Sequence, residues 1–132
     1  MNMVEESANF DWVTARSQCS TAVLFEQLKQ QVKDDVATRK ALLPEMAHYG
    51  FRFISTSNRS FSVLVEGNKI HDTVYFECKP QEIGIFCNDE LLYNAVPSLD
   101  SEGHCKLRIN DQQYELWQVR QMALENLFFK SY

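Results

Sequence analysis

Between Ser20 and Leu43 the apolar residues recur at a helical interval. Phe25, Leu28, Val32 and Val36 fall on one stripe with Leu24 beside it. Ser20 or Thr21 offers a side-chain oxygen to the first turn, and Pro44 bars continuation. The pattern predicts a helix over 20–43, with Asp35 and Arg39 four apart as a small favourable pair.

From Phe51 the period falls to two. Turn-forming groups recur at Ser57-Asn58-Arg59, Gly67-Asn68, Lys79-Pro80-Gln81, Asn88-Asp89, Ser101-Glu102-Gly103 and Asn110-Asp111. They bound β-rich runs near 51–56, 60–66, 70–78, 82–88, 91–96, 104–109 and 112–116. Turns this frequent, with no helical stretch between them, imply antiparallel hairpins rather than parallel crossovers. Helical spacing returns from Trp117 to Phe129, where Trp117, Gln121, Leu124 and Phe128 form a row and Val119, Met122 and Leu127 widen it. Residues 1–19 hold Phe10, Trp12 and Val13 amid polar neighbours and are expected to lie against the body as an arm.

The expected fold is a single α+β domain over 1–132. A long N-terminal helix (20–43) packs on an antiparallel meander sheet (51–116) of about six strands, closed by a C-terminal helix (117–129).

The turns also fix a register. A tight turn after Cys78 sets Phe76 opposite Ile85, Cys78 opposite Ile83 and Tyr75 opposite Phe86. A two-residue turn at Asn110-Asp111 sets Leu107 opposite Tyr114, Cys105 opposite Leu116 and Lys106 facing Glu115. Phe51, Phe53, Leu64, Tyr75, Phe86, Leu91 and Tyr93 cannot all share one face with the Val and Ile residues. The middle of the sheet is therefore apolar on both sides. The first helix covers one side; the other requires the C-terminal segment, the arm, a ligand or a second subunit.

Charge narrows the partners. The formal net charge is −5, and residues 44–103 carry nine acids against four bases. That balance repels phosphates and anionic bilayers, so neither nucleic acid nor membrane is expected as a partner. The first twenty residues lack the basic-then-apolar plan of a signal peptide, and no apolar run reaches membrane-spanning length. A cytoplasmic protein is expected, with Cys19, Cys78, Cys87 and Cys105 as free thiols; their spacing gives no zinc pattern. Cys19, in the arm, is expected to be exposed and open to oxidation.

Catalytic motifs are missing. His71-Asp72 are strand neighbours that point to opposite faces, so they do not converge on one ion. Cys78 and Cys87 share a face with Val74, Phe76 and Ile85 and read as inert core. Asp34-Asp35 and Asp89-Glu90 lack the contrast of environments that separates acid from base. No Gly-rich phosphate loop, nucleophile elbow or zincin motif occurs. No catalytic residue, metal ligand or cofactor is expected.

Two functions fit what remains. The first is a small non-enzymatic protein-binding module, with self-association as one form, that uses a sheet face or edge. The second is a small-molecule pocket between curved sheet and helices, with or without catalysis, for which Tyr75, Tyr93, Arg52 and His71 are the candidate lining.

Overall fold

A computed structural model describes residues 9–67 and 72–132. Asp11 starts the first helix, α1 (Trp12–Gln18): its carboxylate accepts from the backbone N–H of Thr14 at 3.1 Å and from the Thr14 hydroxyl at 2.6 Å. Ser20 caps α2 (Thr21–Ala41) in the same way, accepting from the Val23 N–H. The α2 stripe of Leu24, Phe25, Leu28, Val32 and Val36 is buried as its spacing predicts. The arm is thus partly helical, and α2 ends just short of Pro44.

Seven strands follow: β1 (Tyr49–Ser57), β2 (Ser60–Gly67), β3 (Thr73–Cys78), β4 (Ile83–Cys87), β5 (Glu90–Leu99), β6 (Cys105–Ile109) and β7 (Gln112–Tyr114). They form one antiparallel sheet in the order β1-β2-β3-β4-β5-β6-β7. The count is seven rather than about six, because the last run forms its own short strand.

The hairpin registers follow the alternation. Phe76 pairs with Ile85, Cys78 with Ile83, Tyr75 with Phe86, and Leu107 with Tyr114. Asn88 and Asp89 adopt positive φ (49° and 70°), the conformation a two-residue hairpin turn demands. One expected pairing is absent. Leu116 is the first residue of α3 (Leu116–Phe129), so Cys105 pairs instead with Leu99 across β5. The entry to α3 is pinned at Glu115: its N–H donates to Gln118 Oε1 at 2.8 Å, and its carboxylate meets Lys106 at 2.9 Å.

The core lies between the sheet and α2 with α3, and aromatic rings dominate it. Phe61 stacks on Phe76 with centroids 4.6 Å apart and meets Phe25 of α2 at 5.2 Å. Phe51 meets Phe128 of α3 edge-on. Both long helices therefore cover the same face.

The helices are tied together by a pair other than the expected one. Asp35 binds Arg120 of α3 through both carboxylate oxygens, at 2.7 and 3.3 Å, and Gln31 accepts from the same guanidinium. Arg39 donates to the Phe128 carbonyl at 3.0 Å and lies over the Phe51 and Phe129 rings. A half-buried bidentate pair between helices outcompetes an exposed one within a helix.

The cysteines also differ from expectation. Cys19, fully buried at the α1–α2 junction, forms a disulfide with Cys105 of β6, while Cys78 and Cys87 are free. A compartment argument gives no account of which cysteines meet in space; the fold brings these two together from 86 residues apart.

Candidate functional site

The sheet's second face is one candidate site. Leu64, Tyr75, Phe86 and Leu91 point to it from β2, β3, β4 and β5, with Ile54 and Val96 toward its margins. Each is half-buried except Leu91, which is 51% exposed. Neither long helix lies on this face. Gly84 sits at its centre because the Phe86 ring folds over it: a Cβ there would meet that ring at 3.0 Å, with Lys79 beside it. Asn94, paired with Gly84, has its side-chain oxygen buried without a hydrogen-bond partner. Glu77 on β3 and Arg108 on β6 flank this centre, and neither makes an ion pair among the described residues.

The second candidate is a cleft of about 570 Å³ on the core side, between β3–β5 and the C-terminal half of α3. Val74, Leu92, Met122 and Leu127 contribute apolar wall. A bulge in β5, opposite Ile85 and Phe86 of β4, leaves Leu92 as the extra residue, and both Leu92 and Tyr93 line the cleft. At one end Asp72 accepts from Asn88 Nδ2 at 3.1 Å and from Lys130 Nζ at 3.2 Å. The Asn88 hydrogen bond is the main cause that holds the Asp72 carboxyl below the ordinary aspartate range; the Lys130 ammonium adds to it. Cys87 also lines the cleft, and burial followed by the Asp72 charge pushes its thiol up. Beside the cleft's end, the Tyr132 hydroxyl donates to the Leu127 carbonyl at 2.7 Å, and burial pushes its pKa up to about 12.

These two sites separate the residues named from sequence. Tyr93 lines the cleft, whereas Tyr75 stands on the other face against Phe86. Arg52 is exposed near the sheet edge and pairs with Glu66 at 2.7 Å. His71 lies outside the described residues. Sequence reasoning missed Leu92, Asn88 and Lys130 of the cleft. The Asn88-Asp89 turn was visible, but nothing local in the sequence signals the bulge that sets Leu92 at the cleft wall or the return of Lys130 to Asp72. Among the described residues no three His, Cys, Asp or Glu side chains gather to hold a metal, and no helix is long and apolar enough to cross a membrane.

The Asp72 geometry makes a pH prediction. A carboxyl with a depressed folded pKa contributes stability above its unfolded pKa and loses it as pH falls through the folded value. Asp72→Asn should therefore lower stability at neutral pH, and the gap from the parent protein should close as pH falls through the carboxylate range. Thermal melts of both proteins across an acid series check this; a gap that is constant with pH would contradict it.

No family model, curated protein or solved structure matches this chain.

Proposed function

We propose that this chain is a non-enzymatic protein-binding module that pairs with a second copy of itself through the uncovered sheet face. The observation that carries the reading is that α2 and α3 pack on one side of a sheet whose middle strands are apolar on both. Apolar surface left in water is a driving force for association.

The arrangement is also self-complementary. A two-fold axis running between β4 and β5 lays β3 of one copy over β6 of the other, which brings Glu77 toward Arg108 twice. It also brings the two Asn94 amides to the centre, where each unpaired oxygen can accept a hydrogen bond. The acidity of the middle of the chain supports a protein partner over nucleic acid. The compartment belongs to the same proposal. A cytoplasmic module would hold Cys19 and Cys105 reduced, whereas an oxidising compartment would keep their bond.

Sedimentation across a concentration series tests the pairing. A dimer is expected, with Leu91→Asp and Arg108→Glu each shifting it toward monomer. The swap Glu77→Arg with Arg108→Glu should restore association, because the pair is re-formed with its charges exchanged. A monomer at every concentration, or a dimer indifferent to Leu91→Asp and to Arg108→Glu, would refute the proposal.

A further inference from the structure

The cleft lies on the opposite side of the sheet from the pairing face, and its lining points to a ligand of definite chemistry. Its volume, about 570 Å³, is in the range of small-molecule sites, and it combines an apolar wall with a few polar groups at one end. Its charged lining is two carboxylates, Asp72 and Glu125, against one ammonium, Lys130, so the lining as a whole carries a net negative charge.

Asp72 is ionised and held in place. Among the described residues each of its oxygens takes one donor, from Asn88 or from Lys130, which leaves lone pairs for a further N–H. The Lys130 side chain is 58% exposed, so its hold on Asp72 is screened and readily shared. The Tyr93 hydroxyl, further along the cleft, makes no hydrogen bond among the described residues. A carboxylate ligand would find Lys130 already engaged by Asp72, in a lining that is net negative. A neutral apolar ligand would leave the polar end unused.

We infer that the cleft binds a hydrophobic organic amine, with the ammonium donating to Asp72 and the apolar body against Val74, Leu92, Met122 and Leu127. This site is independent of self-association.

Three probes of the same shape test it: tryptamine, indoleacetate and tryptophol, which present a cation, an anion and a neutral hydroxyl on one ring system. Amide NMR titration of the full chain is expected to show saturable shifts at Leu92, Tyr93 and Ala123 with tryptamine. Binding of indoleacetate should be weaker by about tenfold or more, the usual size of one charge-assisted hydrogen bond. Asp72→Asn should remove that preference. Leu92→Arg, which puts a cation at an exposed wall position, should abolish tryptamine binding while the spectrum of the rest of the protein stays folded. Arg108→Glu should bind tryptamine as the parent does, which separates failure of the cleft from failure of the pairing face. Equal affinity for all three probes, preference for indoleacetate, or shifts confined to other surfaces would overturn the inference.

Discussion

Phe76→Ala should cost about 4 kcal/mol of stability, the largest loss expected from any single truncation in this protein. Phe76 is fully buried on β3, stacks on Phe61 and sits opposite Ile85. Removing its ring leaves a cavity between the sheet and the Phe25 face of α2, and the surrounding strands are held by their ladders and cannot close it. The loss of the ring–ring geometry with Phe61 adds to the lost burial. For a chain of this length the melting temperature should fall by roughly 15 °C. Denaturant titration checks the mechanism: the midpoint should drop while the slope stays unchanged. A loss below about 1 kcal/mol would mean that the core repacks around the gap and that the stacked pair does not organise it.

Breaking the Cys19–Cys105 bond is the second large effect. The bond closes a loop of 86 residues in sequence separation, so opening it returns much chain freedom to the unfolded state. Reduction, or Cys105→Ser, should cost about 2 to 5 kcal/mol. The local effect should be larger still at α1. That helix buries none of its own residues, and just ahead of it the Phe10 ring lies against Gly103. Gly103 holds a φ of +82°, and a side chain there would strike that ring. Amide exchange over 11–18 should therefore accelerate on reduction while β2–β4 stay protected. Thiol titration of the unreduced protein should find two reactive groups after unfolding, Cys78 and Cys87. Four would mean that the bond does not form.

The parts of this fold that were legible in sequence are those set by neighbours along the chain. The α2 stripe was plain because its buried residues recur at three and four. The Phe76–Ile85 and Leu107–Tyr114 registers were plain because a turn and an alternation fix a hairpin together. What was hidden depends on residues far apart. The row through Trp117, Gln121, Leu124 and Phe128 did not reveal which side of α3 is covered: Leu124 and Phe128 are buried with Val119, Ala123 and Leu127, while Trp117 is 52% exposed. Asp35 had a plausible partner in Arg39 on its own helix, and only the packing of α3 shows Arg120 as its real one.

The candidate site was half visible for the same reason. Alternation already set Tyr75 and Phe86 against the Val74–Ile85 side, so Tyr75 could have been separated from the core side without a structure. Tyr93 could not have been placed, because its orientation depends on one extra residue in β5 that carries no local signature. The cleft itself is made by Lys130 returning to Asp72 across 58 residues.

The strand order has a kinetic meaning. Every strand of the sheet pairs only with the strand before or after it in the chain. Each ladder can thus close as a local hairpin, at small loop-closure cost, without waiting for a distant segment. The contacts that must wait for distant segments are the docking of α2 and α3 and the joining of Cys19 to Cys105, 86 residues apart.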